Sequence, residues 1–176
     1  MKRRSAGPPR PTSPTGRRAP WWHGAVAGLV GGALLVVTVS ALSGVGLPRL
    51  LALIAAATDD AYAFREPAAD VVVVGTAVHL AVSALWGLLF AGLVKPLPDV
   101  GQALLRGALY GIVVMAAMTF GLVPAFDPAL WERVARNFPA WAAGHVVFGL
   151  ALALLLHLDL GSSGTIVVSR RRAAAH

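Results

Sequence analysis

The sequence predicts an all-α integral membrane protein, a four-helix bundle with a short interfacial helix after the first span. Three observations carry this reading. Hydrophobic residues make up 57% of the 176 residues and charged residues only 13%, against about 25% charged in soluble domains. The apolar residues gather in four runs, each long enough at about 1.5 Å per residue to cross a hydrocarbon core roughly 30 Å thick. The basic residues cluster outside those runs, with only Arg106 near the start of one, so the net charge of +7 is read as membrane topology, with lipid and not nucleic acid as the partner. The sequence has no cysteine, which excludes disulfide frameworks, thiolate metal sites and thiol nucleophiles.

Residues 1–20 set Lys2, Arg3, Arg4, Arg10, Arg17 and Arg18 among Pro, Gly, Ser and Thr. Such a mixture has little to bury and is expected to be a disordered basic cytoplasmic tail. Residues 21–42 are uncharged and form the first span. A signal peptide is the alternative, since small residues follow at Val39-Ser40-Ala41, but the run exceeds the usual signal core of about 7–15 residues. After Pro48 the apolar piece 50–57 is too short to span and is expected to lie in the interface or to re-enter partly. The second span, 71–94, ends where Lys95 marks an interface and Pro96 stops a helix. The third, 103–123, carries Arg106 near its start, within reach of the headgroups, and Pro124 is expected to close it. The fourth, 138–158, is followed by Asp159 and a Gly/Ser turn that opens a second basic tail, 159–176.

Orientation follows from the basic residues. Six in the first tail, Lys95 and Arg106 in the middle connection and Arg170, Arg171 and Arg172 at the end place eleven on one side. The other side has Arg49, Arg65, Arg133 and Arg136, beside the acids Asp59, Asp60, Glu66, Asp70, Asp127 and Glu132. The richer side belongs in the cytoplasm, which puts both termini there in a multi-pass protein of the cell membrane. Trp21 and Trp22 at one interface, with Trp131, Phe138 and Trp141 at the other, fit aromatic belts.

Small residues recur at helical spacing. Gly24, Gly28 and Gly32 in the first span, Gly75, His79, Ser83 and Gly87 in the second, Gly107 and Gly111 in the third, and Gly144 and Gly149 in the fourth mark faces where backbones can approach in lipid. Packing within the monomer is the plain use; homo-oligomerisation is the other. Laid together, the two halves form a weak parallel repeat, with His79 matching His145, although small-residue coincidence gives the same impression.

His79 and His145 are the ionisable side chains well inside the spans, each about seven or eight residues from the outer side, or roughly 10–12 Å deep. Such residues face a bundle interior or a cavity. Three readings follow: neutral histidines that hold helices in register through hydrogen bonds, a pair that binds a haem or a metal ion from facing helices, or a gating or proton-relay role. The outer acids lack the order of a calcium loop and read as a solvated acidic loop. No nucleophile triad order, phosphate-binding loop, dinucleotide fingerprint or zinc-protease motif occurs, so an enzyme is disfavoured.

The runs His79-x6-Trp86-Gly87, Gly107-x2-Tyr110-Gly111 and Gly144-His145-x2-Phe148-Gly149 resemble uncharacterised four-span bacterial inner-membrane proteins of the YagU-like type. The resemblance covers residues 24–158 and implies the four-span fold without an activity. The expected function is a small structural or accessory membrane component, alone or in a larger assembly. A haem- or metal-binding protein using the histidine pair is the second reading. A transporter or channel subunit is the third, disfavoured because no Asp, Glu, Lys or Arg lies at mid-membrane.

Overall fold

Four apolar runs become four long helices in the computed structural model, which describes residues 21–59, 61–62, 66–94, 99–126 and 128–173. The basic segment 1–20, Asp60, Arg65, Lys95, Pro96, Asp127 and the last three residues lie outside the described part. Helix α1 is Trp21–Ser43, α2 Leu47–Ala55, α3 Ala69–Leu93, α4 Val100–Ala117, α5 Val123–Phe126, α6 Pro128–Arg136 and α7 Phe138–Ala173. No strand occurs among the described residues. Helices α1, α3, the α4–α5 rod and α7 are each long and apolar enough to cross a membrane. Large apolar side chains such as Val37, Val73, Leu85, Val113 and Leu154 remain exposed along them. Lipid is the solvent that accepts such surfaces, and the chain is a multi-pass helical membrane protein.

The chain reverses after α1 because Gly44 adopts φ +70°, a conformation that glycine enters without steric penalty. The Ser40 hydroxyl donates to the Val45 carbonyl at 2.7 Å, and the Val45 amide donates to the Ser43 hydroxyl at 3.2 Å. Pro48 stands in the first turn of α2, where its missing N–H is no loss. Leu50, Leu51, Ala52, Leu53 and Ala55 of α2 are all buried, so this short helix packs into the bundle beside α3. Asp99 caps α4, accepting from the Gln102 amide at 2.8 Å, and so satisfies one of the free donors of the first turn.

Three expectations are corrected. Pro124 does not close the third span: residues Met118–Leu122 form a π-turn and the rod continues to Phe126. There the Val123 amide donates five residues back, to Met118, and the widened turn relieves the clash that a proline ring makes with the carbonyl four residues before it. The connection that follows, which its mixed charges mark as an outer loop in the sequence, is not a loop. It contains α6, which turns Leu130 and Val134 into the core and leaves Glu132 and Arg136 exposed as an i,i+4 ion pair at 3.3 Å. Nor does the chain turn after Asp159, because the α7 backbone stays helical to Ala173; glycine weakens a helix by about 1 kcal/mol but does not forbid it.

Consecutive long helices run antiparallel. Helix α1 packs on both α3 and α7, and α7 packs in turn on α4, which gives a row in the order α3, α1, α7, α4. The row bends until its ends meet through Tyr110, whose hydroxyl donates to the Trp86 carbonyl at 2.7 Å. The tightest crossings are made by glycines. A Cβ on Gly28 would collide with the Ser83 carbonyl, one on Gly24 would lie 2.6 Å from both Ala91 Cβ and the Gly87 carbonyl, and one on Gly32 would strike the Ser83 side chain. Across α4 and α7, a Cβ on Gly107 would meet the Gly149 carbonyl and one on Gly111 the His145 carbonyl. Gly75 faces the Leu51 carbonyl of α2, and Gly144 faces Leu35 and Val39 of α1.

These crossings match the two halves in a register other than the one that pairs His79 with His145. His79 precedes the crossing glycine Gly87 by eight residues, whereas His145 precedes Gly149 by four. In packing terms His145 is the counterpart of Ser83, and Trp141 that of His79.

Candidate functional site

Helix α1 serves as a ruler for the two histidines. Gly32 lies against His79 on one side, while Leu35 lies against Gly144 on the other, so both imidazoles stand at nearly the same level of the bundle, toward the end that carries α2. Both line one cavity of about 470 Å³. Its walls come from α1, α3, the α4–α5 rod and α7, with α2 and Leu130 of α6 at one end. Among the described residues no Asp, Glu, Lys or Arg lines it.

Each histidine donates one ring N–H to a carbonyl. His79 Nε2 lies 2.8 Å from the Gly32 carbonyl oxygen, across the α1–α3 crossing. His145 Nδ1 lies 2.9 Å from the Trp141 carbonyl oxygen, one turn back on its own helix. A carbonyl only accepts, so these nitrogens carry the hydrogen, and in the neutral rings His79 Nδ1 and His145 Nε2 are lone-pair acceptors. Neither of the latter has a hydrogen-bond partner among the described residues, and neither is sealed: the only sealed and unpartnered side-chain nitrogen or oxygen there is Trp86 Nε1. The Ser83 hydroxyl also lines the cavity, one turn beyond His79.

The surrounding aromatic residues escaped the sequence reading. Trp141 was expected in an interfacial belt, but it is 7% exposed and its indole N–H donates to the Thr119 hydroxyl at 2.8 Å. Its ring lies 4.6 Å from that of His145, centroid to centroid. The π-turn places Thr119 where it can accept, so a buried chain of bonds runs from that turn through Trp141 to His145. The Phe90 and Tyr110 rings meet at a 55° tilt with centroids 4.8 Å apart and brace the other end of the α3–α4 seam. A tryptophan near a span end reads equally well as belt or core, because hydropathy does not report helix rotation. Trp21 and Trp22 are exposed at the start of α1, as a belt requires.

The remaining candidates stay apart from the cavity. Asp59, Glu66 and Asp70 are exposed, and the Asp59 carboxylate accepts from the Ala61 amide at 3.0 Å. Among the described residues no group of three or more His, Asp or Glu side chains is arranged to hold a metal ion. A haem bound by both histidines needs one free nitrogen from each. His79 offers only Nδ1, the nitrogen crowded by its own Cβ, because Nε2 is held by Gly32, so the pair fits that group poorly.

Comparison with known proteins found no matching family model, curated protein or solved structure.

Proposed function

We propose that the protein is a non-catalytic accessory component of a bacterial inner membrane, with four spans, both termini cytoplasmic, and intramembrane histidines that hold its helices in register. The observation that carries this reading is the bond from His79 Nε2 to the Gly32 carbonyl at 2.8 Å. It ties α3 to α1 at a glycine crossing, where the backbone of α1 is close enough for a side chain to reach. His145 donates to the Trp141 carbonyl one turn back on its own helix, which fixes its ring beside the α4–α7 crossing, and among the described residues neither ring bonds to a carboxylate that would make it a general base. Orientation rests on the eleven-to-four division of basic residues and the positive-inside rule. Kinship with YagU-like proteins is part of the proposal: Trp86, Gly87, Tyr110, Gly111, His145 and Gly149 of the three quoted runs all take part in the crossings and the seam, so the runs describe one packing pattern. Assembly with further copies or with a larger complex fits an accessory role.

Purified wild-type protein and the variants His79→Ala and His145→Ala, compared by visible absorption and thermal unfolding in detergent, test this reading. The expected result is no visible absorption band in any of the three and a lower melting temperature in both variants. A haem band in the wild type that vanishes in either variant overturns it.

A further inference from the structure

The histidine cavity holds an unbalanced set of hydrogen-bonding groups. His79 Nδ1 and His145 Nε2 can only accept, the Ser83 hydroxyl can do either, and nothing among the described residues donates to the two imidazole lone pairs. Thr58 also lines the cavity, its hydroxyl donating to the Ala55 carbonyl at 2.8 Å, and the rest of the described wall is aliphatic or aromatic, including Val82, Met118 and Phe148. A volume of about 470 Å³ falls within the roughly 300–1,000 Å³ of small-molecule sites. Leu85, Leu89 and Leu122 line the cavity and are also exposed, so its mouth opens sideways, between α3 and the α4–α5 rod, onto the lipid-facing surface. A lipid tail alone would fill the space but leave both acceptors unmet, and an ion would find no countercharge among the described residues.

We propose that this cavity binds a neutral, lipid-soluble molecule with a phenol- or hydroquinone-type head, which enters laterally from the bilayer and donates its hydroxyls to His79 Nδ1 and His145 Nε2. The observation behind it is the pair of unpartnered imidazole acceptors at one level of a single apolar cavity. Ser83 supplies a third polar contact, and Trp86 and Phe148 present ring surface to an aromatic head. This goes beyond the accessory role, which concerns only the ring nitrogens turned to the backbone, and the two ideas can fail separately.

The test uses the full chain in lipid nanodiscs under reducing conditions, titrated with a short-chain alkylhydroquinone, its dimethyl ether and the corresponding alkylbenzene. Trp86 and Trp141 line the cavity, so tryptophan emission reports occupancy. The hydroquinone is expected to give a saturable emission change and a raised melting temperature. The dimethyl ether, which keeps the body and loses both donors, should bind about tenfold more weakly or worse, as loss of one or two net hydrogen bonds implies. His145→Phe keeps an aromatic ring without the acceptor and should weaken the hydroquinone by a similar factor while leaving the alkylbenzene unchanged. Equal affinity for hydroquinone, ether and alkylbenzene, or no saturable response to the hydroquinone in the folded wild type, overturns the proposal.

Discussion

Thr119 and Trp141 join the α4–α5 rod to α7 through a buried bond, indole N–H to hydroxyl, at 2.8 Å. Thr119 is 1% exposed and sits in the π-turn ahead of Pro124. Thr119→Val keeps the shape and removes the acceptor, leaving the Trp141 donor sealed and unmet. Such a loss costs about 1–3 kcal/mol, and chemical unfolding in mixed micelles is expected to register it. Wild-type stability in that variant would show that another group takes the indole proton.

The two histidines make separate bonds, His79 to Gly32 and His145 to Trp141. His79→Ala is expected to weaken the α1–α3 association by about 0.6–1.7 kcal/mol, the range for hydrogen bonds between membrane helices. Because the two side chains share no partner, the losses in the double variant should add within about 0.5 kcal/mol. Strong coupling in a double-mutant cycle would point instead to direct contact between the rings.

Glycines in this bundle fall into two classes that one substitution separates. At Gly75 and Gly28 a single added methyl meets the backbone carbonyls of Leu51 and Ser83, and Gly→Ala there is expected to destabilise by about 1–3 kcal/mol through overpacking. Gly92 has nothing within 4 Å of the same position. Gly92→Ala should be neutral or stabilising by up to about 1 kcal/mol, as helix propensity dictates. Melting temperatures of the three variants in one detergent make the comparison.

Topology is open to direct mapping. Reporter fusions after Gly16, Ala63, Asp99, Glu132 and Ser163 should read inside, outside, inside, outside and inside in turn. The Ser163 fusion is the most demanding, since α7 continues as helix through that point. An outside reading there would remove one span or reverse the last one.

The four spans were legible because crossing a bilayer demands long apolar runs, and the sequence contains four. The glycine faces were legible for a related reason: spacing by four places residues on one stripe of a helix. What stayed hidden depends on rotation and on partners. Nothing local distinguishes Trp141, buried against Thr119, from Trp131 at 10 positions earlier in the chain. Pro124 read as a stop because proline usually is one, and only the π-turn before it lets the rod continue. Leu130 and Val134 sit among charges, so α6 escaped a search for apolar runs. The cavity was least visible of all, since it arises where α3 and the α4–α5 rod fail to pack toward the end of the bundle that carries α2.

The order of helices in the row differs from their order in the chain, and this bears on how the protein is made. Helix α4 leans on α7, which is synthesised after it, so a nascent chain that has released α4 into the membrane carries the bare face of Gly107 and Gly111 with no mate. At about 5–20 residues per second, the ribosome needs a few seconds more to complete α7. During that interval an insertion chaperone, or another copy of the chain, has its best opportunity to occupy the vacant stripe, and a ribosome that stalls before α7 leaves a product exposed to quality-control proteolysis.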